Sequence, residues 1–164
     1  MSRNVEFELR MKGTLDNCKA FYNTISQYDG YWELSSLIGE QQSGDQYLYT
    51  VVGACTSSVY RTMMEAEESL EKASRDNNIE VEVFGGDIGD GDEFEHYYYK
   101  DGECLDCFND PSYFTEDDEY AWEIDEETKA KYNHEGDYYI LKSEYVPKAK
   151  WEDGELKAEF SIKI

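Results

Sequence analysis

The stretch from Val5 to Gly13, VEFELRMKG, predicts the first strand of the fold. Apolar residues take every second position from Val5 to Met11, and charged residues take the positions between them. This alternation is typical of a strand with one face buried and the other exposed. Gly13 ends the pattern, because glycine is unfavourable inside a strand and permits a turn.

A helix is predicted directly after this strand. Thr14 is a suitable N-cap residue, and Asp16 in the first turn is favourable to the helix dipole. The next apolar residues are spaced by three and four positions, as on one face of a helix. They are Leu15, Cys18, Tyr22 and Ile25. This spacing also indicates that Cys18 belongs to the core.

The next segments predict the fold class. Residues 31–37 and 47–54 are expected to be strands, residues 59–73 carry a helical apolar stripe, and residues 79–83 alternate as a strand. The order strand, helix, strand, strand, helix, strand predicts an α+β, ferredoxin-like βαββαβ fold, with an antiparallel sheet and two helices on one face. Residues 94–100 extend this sheet by a hairpin, and further C-terminal strands follow.

Two regions are expected along the chain. Residues 1–100 form the ferredoxin-like core with its extra hairpin strand. Residues 101–164 form an acidic connection and a β-rich C-terminal extension that packs on the same domain. Within this extension, Asp153 and Gly154 carry an Asp-Gly hairpin signal.

The charge of the chain is strongly one-sided. The 164 residues include 38 Asp and Glu against 15 Lys and Arg, for a net charge of −23, while 40% of the residues are apolar. Such a charge repels nucleic acid and anionic membranes, so direct binding to either is not expected. Residues 85–137 hold 19 acids and 3 bases, and therefore most of the excess.

The sequence predicts a cytoplasmic protein. The first residues include no apolar run of signal-peptide length, and no run approaches the roughly 20 apolar residues of a membrane helix. In the cytoplasm, the four cysteines are expected to be thiols.

The glycine-rich stretch GGDIGDGDE, residues 85–93, resembles a calcium loop in composition only. An EF-hand loop requires oxygen ligands at its first, third and fifth positions. Counted from Asp87, Gly89 and Gly91 take the third and fifth positions; counted from Asp90, Phe94 takes the fifth. A flexible hairpin connection explains the stretch better, and weak cation binding is the alternative. No tight calcium site is expected.

Cysteine and histidine offer few candidates for a metal site or catalysis. Cys104 and Cys107 form one CxxC pair, whereas a structural zinc site needs four ligands. Zinc binding and redox activity therefore stay alternatives to ordinary loop cysteines. His96 alternates with aromatic residues along a strand and is expected to pack across it. Without a nucleophile elbow or a phosphate-binding loop, the sequence predicts neither an enzyme nor a cofactor.

The acidic stretch after residue 112 is the main candidate for a binding site. Its carboxylates are interleaved with aromatic residues, which are frequent hot spots of protein interfaces. The expected partner is a basic protein, in particular a nucleic-acid-binding enzyme. The predicted partner-binding residues are Tyr113, Glu116, Asp117, Asp118, Glu119, Trp122, Glu123, Asp125, Glu126 and Glu127, with Asp87, Asp90, Asp92 and Glu93 as additional contacts.

Two resemblances follow from these patterns. The segments VEFELRMKGTLDNCKAFY, IEVEVF and EFEHYYYKDGE, with the second helix between the first two, resemble the YubB-like ferredoxin-fold proteins of bacteria and phages. That resemblance covers about the first hundred residues and implies a fold but no activity. In size and charge the chain also resembles the phage- and plasmid-encoded DNA mimics, such as anti-restriction and anti-CRISPR proteins.

The leading functional hypothesis is a non-enzymatic inhibitor from a phage or another mobile element. Its acidic stretch would occupy the basic, nucleic-acid-binding surface of a host nuclease. The alternative is an acidic accessory or structural interaction module without mimicry.

Overall fold

The structure is a computed structural model of the chain. It describes residues 5–27, 32–56, 59, 62, 70–87, 94–108, 110–146 and 148–164. Among these residues, no helix is long and apolar enough to cross a bilayer.

An antiparallel sheet of seven strands forms the main body. In spatial order, six of its strands are β2 (Trp32–Leu34), β4 (Gln46–Cys55), β1 (Val5–Gly13), β5 (Glu80–Asp87), β6 (Phe94–Lys100) and β7 (Glu103–Phe108). The seventh, β3 (Ile38–Ser43), also pairs with β4. β1 is hydrogen-bonded on both sides, to β4 and to β5, as expected for a central strand.

The first face of the sheet is covered by two helices. The apolar positions of β1 point to this face, and all four side chains from Val5 to Met11 are buried. Helix α1 (Leu15–Ser26) begins at Thr14, whose hydroxyl accepts the backbone N–H of Asn17 at 3.3 Å, which confirms the predicted cap. Helix α2 (Leu70–Asp76) adds Leu70 and Ala73 to this core. The other residues of the predicted second helix, except Val59 and Thr62, lie outside the described residues.

The second face of the sheet is covered by the C-terminal segment. Phe160 and Ile162 pack there with Leu48 and Phe84 as a separate apolar cluster. The alternation of residues 79–83 predicts that Glu82 faces solvent, and this prediction is wrong, since Glu82 is completely buried. The burial of Glu82 depends on the tertiary structure, because a segment nearly 80 residues away in the chain lies over this strand.

Buried Glu82 holds the C-terminal segment in place. One of its carboxylate oxygens accepts the backbone N–H groups of Ser161 at 2.7 Å and Ile162 at 3.0 Å. The other oxygen lies 2.6 Å from Nε2 of His96, whose ring stacks on Phe84 with 3.9 Å between centroids. His96 therefore packs across the strands, as predicted, and also takes part in a buried polar cluster. The Glu82 carboxylate thus has three hydrogen-bonding partners, and these offset the cost of burying it.

The remaining chain forms two further sheets. Strands β8 (Tyr113–Thr115), β10 (Tyr138–Leu141) and β9 (Tyr132–Glu135) make a three-stranded sheet in that order. Two short helices lie between β8 and β9, α3 (Glu119–Glu123) and α4 (Glu126–Lys129). A 3₁₀ turn (Ser143–Tyr145) then leads to β11 (Ala149–Glu152) and β12 (Glu155–Ala158), which pair as a hairpin. Its turn residues Asp153 and Gly154 have φ values of 54° and 79°, which confirms the predicted Asp-Gly hairpin.

The ferredoxin-like prediction is wrong. The strands expected in the first half are present, but the protein is mostly β, with a seven-stranded sheet and two more sheets rather than a compact βαββαβ unit. The prediction treated residues 101–164 as an extension, whereas β7 continues the main sheet and the later aromatic segments build sheets of their own. The division into residues 1–100 and 101–164 stays a prediction.

Gly53 is expected to be essential for the pairing of β2 with β4. A Cβ atom at this position would lie 2.5 Å from both the Glu33 carbonyl oxygen and Cζ of Phe7. Gly53→Ala should therefore lower the free energy of unfolding by about 1–3 kcal/mol, as overpacking does. Val52→Ala is the matched control, because Val52 is 42% exposed and should cost less than about 1 kcal/mol. Urea unfolding measures both, and equal stability of Gly53→Ala and wild type would contradict the prediction.

Glu82→Ala is expected to release the C-terminal segment. Removing this carboxylate leaves two backbone N–H groups and His96 without their acceptor, and such a loss costs about 3–5 kcal/mol. Hydrogen exchange at the Ser161 and Ile162 amides should accelerate accordingly. The control is Glu159→Ala. Glu159 forms an exposed ion pair with Lys148, and its loss should lower the free energy of unfolding by less than about 1 kcal/mol. Unchanged exchange at both amides in Glu82→Ala would refute this role.

Candidate partner-binding site

The predicted acidic residues lie together on one segment of the structure. We call residues 116–127 the acidic face. It holds eight carboxylates and no base, and all eight side chains are exposed: Glu116, Asp117, Asp118, Glu119, Glu123, Asp125, Glu126 and Glu127. The segment comprises the turn after β8, helix α3 and the first half of helix α4. Sequence contiguity alone therefore keeps these charges close in space.

Hydrogen bonds from backbone N–H groups to two of its carboxylates fix the backbone of the acidic face. Asp118 accepts the backbone N–H of Thr115 at 2.8 Å and closes the turn before α3. Asp125 is the N-cap of α4 and accepts the backbone N–H of Thr128 at 2.7 Å. The hydroxyl and the backbone N–H of Thr128 hold the pKa of the Asp125 carboxyl below its usual value. Carboxylates in the first turn of each helix also interact favourably with the positive end of the helix dipole.

An aromatic core supports the acidic face from below. Phe114, Tyr132 and Tyr139 are buried, and the half-buried Tyr120 and Ile124 pack against them. The Tyr120 hydroxyl donates to Asp110 at 2.7 Å, and the Tyr132 hydroxyl donates to the Pro111 carbonyl at 2.7 Å. Burial raises the pKa of Tyr132 to about 12, and burial also raises the pKa of Tyr120. Both phenols are therefore neutral near pH 7 and act as donors in this core.

Stacked aromatic rings connect the acidic face to the three-stranded sheet. Tyr139 stacks between Phe114 at 4.8 Å and His134 at 4.3 Å, measured between ring centroids. Its hydroxyl donates to Glu116 at 2.9 Å, and the ammonium of Lys129 lies 5.1 Å from its ring centroid. The hydrogen bond from Tyr139 therefore fixes the Glu116 carboxylate in place on the acidic face.

The structure separates the two predicted aromatic contacts. Trp122 is 72% exposed among the carboxylates, and its indole N–H donates to the Glu116 carbonyl at 3.1 Å. Tyr113 is 61% exposed but belongs to a different surface. Since Phe114 points to α3, the alternation along β8 turns Tyr113 to the opposite side of the sheet. One flat partner surface is therefore not expected to contact both rings.

Of the four additional contacts predicted in the glycine-rich stretch, Asp87 alone lies among the residues that the structure describes. Asp87 is only 9% exposed at the end of β5, so it is not a surface charge. Asp90, Asp92 and Glu93 lie outside the described residues.

The cysteines differ from the prediction. Cys104 and Cys107 form a disulfide within β7, so the expectation of four thiols was wrong. Cys18 and Cys55 are buried and not in disulfides, and burial raises the pKa of Cys18 to about 11. No group of three or more His, Cys, Asp or Glu residues is placed to hold a metal ion in the described part of the chain.

Sequence reasoning missed an apolar groove behind the acidic face. Tyr138 and Ile140 are 49% and 41% exposed, and they line this groove with Phe94 and Trp151. A signal was available, because β10 reads YYIL and is apolar at every position. A strand with one face in water alternates with polar residues. The absence of polar residues in β10 indicates that its exposed side is apolar as well as its buried side.

Comparisons with known proteins add no relative to this description. No protein-family model, no curated protein and no solved structure matches the chain. The two resemblances seen in the sequence therefore stay predictions.

The cap at Asp125 is expected to be visible in its titration. Thr128→Val removes the hydroxyl donor but keeps the backbone N–H, so the pKa of Asp125 should rise part of the way to its usual value. A carboxyl whose pKa is lower in the folded than in the unfolded protein stabilises the fold at a pH above its unfolded-state pKa. This stabilisation is lost as the pH falls through the folded-state pKa. Carbon-13 NMR of the carboxyl groups measures the pKa of Asp125, and Thr115→Val is the control. An Asp125 pKa that is the same in Thr128→Val and wild type would show that the cap has no such effect.

Proposed function

We propose that the protein is a non-enzymatic inhibitor that occupies the basic, nucleic-acid-binding surface of another protein. The concrete form is a DNA mimic from a phage or another mobile element that acts on a host nuclease in the cytoplasm. The observation that carries this proposal is the acidic face, with eight exposed carboxylates and no base within twelve residues.

The charge density of the acidic face supports mimicry. Duplex DNA presents about one negative charge per 1.7 Å of its axis. Two residues in three are acidic in this segment, which two short helices and the turns beside them hold on a folded support. The acidic face therefore concentrates negative charge in a short stretch, as a DNA mimic must.

The rigidity of the support distinguishes the acidic face from a solvating tail. The turn closed by Asp118, the helix cap at Asp125 and the aromatic core beneath them fix the backbone before any partner arrives. A preorganised surface loses less conformational entropy on binding. Trp122 adds an exposed ring among the charges, of the kind that slows dissociation at interfaces.

Capture from a bacterial lysate at two salt concentrations tests the proposal. The immobilised protein should retain a basic nuclease at about 50 mM salt and release it at about 1 M, where charges are screened beyond about 3 Å. Duplex DNA should also elute the retained protein, because both ligands would use the same surface.

A matched pair of variants locates the effect. The acidic-face variant carries Glu116→Gln, Asp117→Asn, Asp118→Asn and Glu119→Gln, and it should lower the association rate about tenfold. The control loses the same charge elsewhere, at the exposed residues Glu144, Glu152, Glu155 and Glu159, each changed to Gln. A partner that DNA does not displace, with equal affinity for both variants, would contradict mimicry and favour the accessory module.

A further inference from the structure

An apolar groove lies between the three-stranded sheet and the β11–β12 hairpin. Its volume is about 860 Å³, and we call it the aromatic groove. Its apolar lining includes Phe94, Tyr113, Tyr138, Ile140, Val146 and Trp151. Four of these side chains, at 113, 138, 140 and 146, are 41–61% exposed. Apolar residues that are exposed and contiguous mark interaction surfaces far more often than single exposed residues do.

A second cavity, of about 480 Å³, adjoins the aromatic groove. We call it the acidic cavity, because the carboxylates of Asp110 and Asp118 line it. Asp87 and Glu95 also line it, but both are buried and have interactions of their own. No Lys, Arg or His is among the described residues that line it. The rings of Tyr113, Phe114 and Tyr120 complete the wall, together with Phe94. Carboxylates and aromatic faces together favour an organic cation, that is, a guanidinium or an ammonium group.

The two spaces share a wall. Phe94 and Tyr113 line both the acidic cavity and the aromatic groove, so a ligand in one space touches the boundary of the other. The basic residue of the groove, Lys150, is 3.2 Å from Glu152 and is neutralised by it. The combined surface is therefore apolar on one side of the shared wall and negative on the other.

We propose that the aromatic groove and the acidic cavity together bind a partner segment in which an apolar side chain lies next to an arginine or lysine. The apolar side chain packs in the groove, and the cation enters the cavity. Charge complementarity selects this occupant over an acidic or a neutral one. This proposal rests on the proposed function in one respect, namely that the partner is a basic protein. The groove and the cavity would supply the specificity that the acidic face alone lacks.

Short peptides test the site directly. The probe is the N-acetylated, C-amidated peptide GRWRLG, compared with GRGRGG of equal charge and with the uncharged GQWQLG. Calorimetry should give GRWRLG an affinity at least about tenfold higher than either comparison peptide, since both halves of the site contribute. NMR shift changes on binding should centre on residues 94, 113, 138, 140 and 151. Equal affinities for GRWRLG and GRGRGG, or shifts confined to residues 116–127, would overturn the proposal.

Variants separate this site from the acidic face. Tyr113→Ser and, independently, Ile140→Thr should each weaken GRWRLG binding about tenfold. Trp122→Ser is the matched control, because it removes an exposed ring outside both spaces and should leave the affinity within about twofold. A variant with Glu116→Gln, Asp117→Asn and Glu119→Gln, which leaves Asp118 unchanged, should keep the preference for GRWRLG over GRGRGG even if no DNA-displaceable partner is found. Loss of that preference in this variant, or wild-type affinity in both groove variants, would show that the site is not the one described.

Discussion

The buried carboxylate of Glu82 is the contact on which the second half of the structure depends. It joins β5 to His96 on β6 and to two backbone N–H groups near the C-terminus. An unpaired carboxylate in this position would cost several kcal/mol, so the C-terminal segment is held there strongly. Because the segment follows β12, this contact also places the β11–β12 hairpin beside the main sheet. Trp151 of that hairpin then lies 6.2 Å from Phe94, measured between ring centroids, and the two rings form one wall of the aromatic groove.

Electrostatic repulsion is the second constraint on the fold. A net charge of −23 opposes a compact state, and residues 85–137 carry most of it. The structure relieves part of this repulsion by keeping the eight carboxylates of the acidic face exposed to water. Helix caps and helix dipoles neutralise a further part locally. The aromatic core below the face supplies the apolar burial that such a charged segment could not provide alone.

The two candidate binding surfaces have complementary physical properties. The acidic face is exposed and densely charged, which favours fast, salt-sensitive encounter with a basic protein. The aromatic groove and the acidic cavity are concave and apolar or mixed, which favours slow dissociation and selectivity. Asp118 links them, since it belongs to the acidic face and also lines the acidic cavity. A partner that approached along the charged face could therefore continue into the groove without leaving the protein surface.

Local patterns in the sequence determined the elements but not their assembly. The alternation of residues 5–11, the Thr14 cap and the Asp153-Gly154 turn each depend on neighbours within a few positions, and the structure confirms each of them. The acidic face was also visible, because its charges are consecutive. By contrast, the burial of Glu82, the three-sheet architecture and the aromatic groove depend on contacts between segments far apart in the chain. Only the tertiary structure could decide these features, because periodicity shows which face of a strand is apolar but not which distant segment will cover the other face.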